Sequence, residues 1–457
     1  MTSIEQHSQE SPPLSPLVVL GGGMAGIAAA ACLAERGLRP TLIESRPYLG
    51  GRTRSFIHHP TGDEIDNGQH LMMGCYHDTF RLLEMLGTRH LVEMQRSLRV
   101  EFRSPDGTPA LLDTPRSLPS PLGVLVGMLR LQGLSGRDRL ALLRLGLAAM
   151  FGNPSAHETV GEYLDRLGQS RELQRRLWEP IIVATLNTPI EQASARLFVE
   201  VMRRAFMGRG DNSRLAFPRT GLSRLIEPAR HYIEEHGGRV MTGAPVTAIE
   251  RAEQGLILHL KERPPVNTGH VIAALPWRSL RRLMAGELPG GIRPAPGPEH
   301  DYAPIVSLYL WYDRDLPTIP PFAALLGAHV QWMFNRRKLG SPPNHEFPGL
   351  LSCTISAAFQ QTPMAEKEML ALADRELRGA FPELGDAQLL EGLVVREKHA
   401  TFLATPDMVE RRPEPRTDIR GLYLAGDWTA TGLPATIEGA VQSGFGAAAA
   451  LLNDCGM

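Results

Sequence analysis

Short apolar runs broken by glycine stand near both ends of the chain, with a long stretch of helical periodicity between them. Leu17–Leu20 is apolar throughout and predicts a short buried strand, followed after three glycines by an alanine-rich helix to Arg36 that Gly37 closes. Residues 41–43 predict a second strand ending in Glu44. Leu122–Leu129 is apolar but too short to span a bilayer. Beyond it, Leu140, Leu143 and Leu147 share one helical face while Arg137 and Arg144 share another. Residues 159–207 continue in helical periodicity. A helix to His236, the turn Gly237-Gly238, strands around Val240 and 246–249, and a buried strand at 271–275 stopped by Pro276 come next. Residues 301–312 alternate apolar and aromatic side chains as a strand would, 331–351 read as turn-rich and irregular, and 365–380 as a charged surface helix. The last unit is a strand at 422–425, the pair Gly426-Asp427, a loop, and a helix over 437–452.

The glycines after the first strand carry chemistry. Gly21, Gly23 and Gly26 have the spacing G-x-G-x-x-G: the first for a tight turn, the second for close approach of a pyrophosphate, the third for packing helix on strand. Phosphates then meet the unpaired N–H groups at the start of the helix, around Met24 and Ala25. Glu44 falls 23 positions after Gly21, where a carboxylate would accept the hydroxyls of an adenosine ribose, with Ser45 and Arg46 beside it. Gly50 and Gly51 let backbone pass close to a neighbour, and Arg52 is expected against a phosphate.

Composition narrows the partners. The 457 residues carry a formal charge of −1, which gives no global case for nucleic acid. Between Arg116 and Arg230 there are 17 arginines, no lysine and 10 acids, an excess of seven positive charges suited to an anionic surface. Four cysteines without a C-x-x-C pair, and histidines without metal-ligand spacing, leave neither a disulfide framework nor a metal site, and point to a reducing, cytoplasmic setting. Residues 11–34 lack charge, but glycines interrupt them and no Lys or Arg precedes them, so neither a signal peptide nor a membrane span is read there. Residues 1–15 are read as a disordered leader.

The second Gly-Asp at a strand end selects the cofactor. An extended FAD would place ribityl hydroxyls at Asp427 and its pyrimidine carbonyls at the helix start formed by Ala435, Thr436 and Ile437, whereas NAD needs no such second site. Residues 64–74, punctuated by Gly68 and Gly74, read as a loop against a ligand, in which His70 is either a cofactor neighbour or a hydrogen-bonded interior histidine. The segment from Pro119 to Phe151 is either an interfacial helix pair or the interior of a helical cap.

The pieces 21–26, Glu44, Gly50-Gly51-Arg52, Val246 and Gly426-Asp427 resemble the amine oxidase and carotenoid desaturase superfamily of flavoproteins. Within it, Asp66-Asn67-Gly68-Gln69-His70 and residues 426–438 resemble the hydroxysqualene dehydroxylase family. The resemblance implies an α/β architecture: a glutathione-reductase-like FAD-binding Rossmann domain in discontinuous segments (16–75, 213–280 and 415–457) with an α+β substrate domain (76–212 and 281–414). It implies that backbone at Val246 contacts adenine, and that an allylic hydroxyl of a C30 isoprenoid is replaced by hydrogen to give squalene, with an electron donor for the flavin. So insoluble a substrate, with the apolar and arginine-rich segment between Pro119 and Met150, points to a peripheral place on the inner face of the cytoplasmic membrane. Thr436 stands where amine oxidases carry a flavin-flanking tyrosine, so no aromatic amine cage is expected. His70, with Asp66 behind it, is the candidate for polar work on the leaving hydroxyl. A carotenoid-type desaturase moving hydride the other way, and a non-catalytic lipid escort, are the alternatives.

Overall fold

Leu17–Leu20 is buried at every position and pairs in parallel with Pro40–Ile43 on one side and His270–Ala273 on the other. An all-apolar strand fits here because helices cover both faces of such a sheet and no position looks at water. Arg239–Met241 and Leu422–Leu424 extend it to five strands, in the order 239–241, 40–43, 17–20, 270–273, 422–424. Three stretches of chain far apart in sequence therefore share one parallel sheet. This computed structural model describes residues 17–285 and 302–457 apart from positions 119, 133, 209 and 254. The expected leader lies outside the described residues.

Helix Met24–Glu35 packs directly on the C-terminal helix Ile437–Asp454. A Cβ added at Gly444 would lie 2.2 Å from the carbonyl oxygen of Ala25, so the two backbones touch. That contact brings the strand end before Gly21 and the strand end before Gly426 to one edge of the sheet, where ligands of doubly wound sheets bind.

The boundary expected at 75/76 falls between elements that pack on the same core. Helix His77–Met85 buries Phe80, Leu82 and Leu83 in the same core as the fingerprint helix. Val92–Met94 then joins Met72–Met73 and Leu215–Pro218 in a small antiparallel sheet. The cause is an amphipathic helix whose apolar face is covered by Ile437–Asp454.

The second domain is built on a seven-stranded mixed sheet whose longest buried strand is Tyr302–Tyr312. Trp332–Asn335, inside the stretch expected to be irregular, is a strand buried at all four positions and too short to declare a period. Helix Glu366–Ala380, expected as a charged surface helix, packs its apolar face on this sheet. Helices Leu122–Leu129, Gly136–Phe151, Val160–Arg166 and Ala195–Met202 make a cap, and no helix among the described residues is long and apolar enough to cross a membrane.

Candidate active site

The three fingerprint glycines do different work. Gly21 has φ +102°, and a Cβ there would sit 2.4 Å from the Ala274 carbonyl oxygen; one on Gly26 would sit 1.8 Å from that of Gly21. Both are demanded by the fold itself. A Cβ on Gly23 would meet nothing within 4 Å, so the second glycine borders open space at the start of the helix. Protein packing alone gives no reason for a glycine there, and a phosphate-sized occupant does.

Glu44 is buried at the end of its strand. Its Oε2 accepts the Gly22 amide at 2.6 Å, and its Oε1 accepts the Arg46 amide at 2.7 Å and the Ser45 hydroxyl at 2.9 Å. Each carboxylate oxygen has acceptor capacity beyond a single bond, and the group also braces the fingerprint turn. The Ala244 amide donates to the Glu44 carbonyl and Gly243 to that of Arg46, which leads the chain into Val246 beside the acid. Gly50 donates to the Gly22 carbonyl at 2.7 Å, and a Cβ on Gly51 would come within 3.3 Å of the Gly23 Cα: the neighbour these glycines admit is the fingerprint turn. Glu44→Ala is expected to leave a folded protein that loses flavin on dialysis, with affinity down at least about tenfold for one lost charged hydrogen bond. Full flavin occupancy after exhaustive dialysis would remove Glu44 from the site.

Arg52, expected against a phosphate, also has partners within the protein. Its Nη2 lies 2.6 Å from Asp427 Oδ2 and its Nη1 bonds the Ala400 carbonyl, because a cation and an anion facing each other across a gap satisfy one another. The Arg52 side chain is nonetheless 42% accessible. Asp427 is held from behind by Arg412, which donates to the carbonyls of Asp427 and Leu433 and to the Thr431 hydroxyl while its guanidinium lies over the Phe402 ring. Burial pushes Arg412 down to about 10, so it remains charged at neutral pH. The Gly426 amide donates to Ser443 and the Thr436 hydroxyl caps the last helix through Gly439. Glu438, in the first turn of that helix, accepts the amides of Asp78 and Thr79 and the Thr79 hydroxyl, tying two helix starts together at this edge.

The loop 66–70 lies where the two domains meet. Asp66, expected behind His70, is engaged on both oxygens: Oδ1 accepts the Ser55 hydroxyl and the Leu222 amide, and Oδ2 lies 3.4 Å from the Arg336 guanidinium, while its charge also acts on His70. Its carbonyl accepts the Tyr309 hydroxyl at 2.7 Å. These closer donors take the carboxylate, and His70 turns its Nδ1 to the Gly68 carbonyl at 2.8 Å. A carbonyl only accepts, so Nδ1 carries the hydrogen and Nε2 is the nitrogen that titrates. Burial lowers His70 below its ordinary 6.5. Arg336, missed from sequence, donates to Gln69 Oε1 at 2.7 Å and so holds this loop. No periodicity marks it, since it follows a strand of four residues. Gln69 is thus oriented by a buried guanidinium.

The flavin containing amine oxidoreductase family model matches residues 24–452. Hydroxysqualene dehydroxylase of Rhodopseudomonas palustris is 33% identical, over 94% of this chain and 96% of its own length. The Zymomonas mobilis enzyme of that name is 29% identical over 94% and 97%. Among solved structures, cyclohexylamine oxidase from Brevibacterium oxydans superposes with a TM-score of 0.70 at 18% identity, covering 97% of this chain and all of that one.

Proposed function

Since this chain belongs to the flavin containing amine oxidoreductases and, among them, to the hydroxysqualene dehydroxylase family, we propose that it removes the hydroxyl group of hydroxysqualene to give squalene, using bound FAD. The observation that carries FAD over a smaller flavin is the meeting, at one sheet edge, of the open fingerprint turn at Gly23 and Glu44 with the distant pair Asp427 and Thr436. Two recognised ends fit a ligand with a ribose at one and a flavin ring at the other. In the FAD complex, residues 21–26 and Arg52 would hold the pyrophosphate, Glu44 the ribose, Val246 the adenine, and Asp427 with 435–437 the flavin half.

Bound flavin supplies the hydride equivalent that replaces the departing hydroxyl. The chain's own task is to let that hydroxyl leave as water, to shield the allylic cation from bulk water, and to keep the substrate beside the cofactor. His70 Nε2 is the proposed proton donor. Because burial lowers its pKa, the protonated form is scarce at neutral pH but a stronger acid when present. A rate that depends on it falls as pH rises through a value below 6.5, and levels off on the acid side. His70→Ala should slow squalene formation by roughly 10²–10⁴-fold, flatten that pH profile, and leave flavin content unchanged. An unaltered pH profile in the variant would take His70 out of proton transfer.

The decisive experiment is anaerobic: photoreduced protein is mixed with hydroxysqualene, and flavin reoxidation and squalene are followed together. Reoxidation matched by squalene supports the reading. Oxidised flavin reduced by phytoene would instead mark a desaturase. The C30 substrate is almost insoluble in water, and we propose a cytoplasmic protein that collects it at the membrane surface and draws electrons from a separate donor.

A further inference from the structure

The described residues include twelve exposed large apolar side chains, and eight of them fall between residues 111 and 151. Five are on one helix, Gly136–Phe151: Leu140 is 50% exposed, Leu143 36%, Leu147 59%, Met150 41% and Phe151 79%. At roughly 100° per residue these five fall within one arc of about 100°, centred on Leu143 and Leu147. That arc is the middle of the helix's outward face, since Ala141, Leu142, Leu145 and Ala149 fill the inward one. A helix lying on an aqueous surface shows the reverse order, with polar residues farthest from the core.

Charge completes the pattern. Arg139 lies on one edge of the apolar arc, and Arg137 and Arg144 on the other. Asp138, the helix's one acid, is turned away from the arc and engaged by Ser135 and Ser170. The neighbouring helix adds Leu122, 56% exposed, and a surface cleft alongside is lined by Arg99, Arg116 and Arg130 with Asp113. An apolar centre between guanidinium rims matches a layer whose surface is anionic and whose interior is hydrocarbon. The patch is fastened to the rest of the cap: Arg203 donates to the carbonyls of Ala149 and Gly152 at the helix end, and Ser120 to that of Phe206. Arg204 in turn reaches Gln442 on the last helix, so the face is fixed in orientation to the flavin end of the fold.

We propose that this protein docks on an anionic lipid bilayer through the outward face of helix Gly136–Phe151, with Leu140, Leu143, Leu147 and Phe151 entering the acyl region and Arg137, Arg139 and Arg144 meeting headgroup phosphates. The proposal deepens the reading of a membrane-dissolved substrate by naming the surface that meets the membrane. Leu125 and Leu129 are only partly exposed and play a lesser part.

The holoprotein is floated with liposomes of phosphatidylcholine containing increasing phosphatidylglycerol. The parent is expected to float with anionic vesicles and to be released by salt. L143S/L147S/F151S should weaken binding on the order of tenfold per residue. R137Q/R144Q should weaken it roughly fivefold per residue on anionic vesicles alone. The substituted side chains are exposed, so flavin absorbance and circular dichroism should match the parent. Turnover of detergent-dispersed hydroxysqualene should also be unchanged while turnover from vesicles falls, which separates this proposal from the assigned reaction. A parent that stays unbound at every composition, or a serine variant that floats as well as the parent, overturns the proposal. So does a parent dimer that the serine substitutions dissociate, which would make the face a contact between two copies.

Discussion

Gly23→Val is expected to yield a folded but colourless protein. The position has φ −76° and ψ −179°, which a branched residue adopts readily, and its Cβ direction is open for 4 Å. The chain therefore loses nothing by the substitution, while a pyrophosphate meeting the helix start would collide with two methyl groups. Overpacking of about 2–3 kcal/mol corresponds to a flavin affinity lower by roughly a hundredfold. Gly26→Val is the contrasting variant. There a side chain would run into the Gly21 carbonyl oxygen 1.8 Å away, so the strand–turn–helix itself must open and the yield of folded protein should collapse. Flavin absorbance per folded protein, with the far-ultraviolet dichroism, reads both. A yellow Gly23→Val protein would mean that the phosphates lie elsewhere.

Asp66→Ala is expected to be the most damaging substitution at the domain junction, through stability and not through chemistry. The Asp66 and Arg336 side chains are 2% and 3% exposed, and Arg336 Nε has no partner among the described residues. Removing the carboxylate strands a buried guanidinium along with the Ser55 and Leu222 donors, at a cost of about 3–5 kcal/mol. The thermal midpoint should fall sharply with or without substrate. Asp386→Ala, which breaks the Arg314 pair at a carboxylate 89% exposed, should leave it unmoved. A variant with the parent's midpoint and no turnover would place Asp66 at the reacting atoms.

The strand–turn–helix at 17–35, the acid at Glu44 and the terminal Gly-Asp were legible because their geometry is local. Backbone conformation, glycine spacing and strand ends within some 30 residues define where a phosphate and a ribose can sit, whatever the rest of the chain does. The family resemblance rested on these same short stretches. Partners were a different matter. Arg336 reaches Gln69 from 267 positions away across the domain junction, and Arg52 and Asp427 are 375 apart in segments that meet only because one sheet gathers distant strands. A carboxylate four positions before a histidine is expected to serve it, but that Asp66 also holds Ser55, Leu222 and Arg336 is announced by no spacing in the sequence. The helix His77–Met85 could likewise have joined either domain until Ile437–Asp454 covered its apolar face. Helix Gly136–Phe151 states the limit most clearly. Leucines occupy both of its faces, so periodicity shows that it is a helix but not which side is the core. Tertiary packing chose Leu142 and Leu145 for the interior and left Leu140, Leu143 and Leu147 facing out.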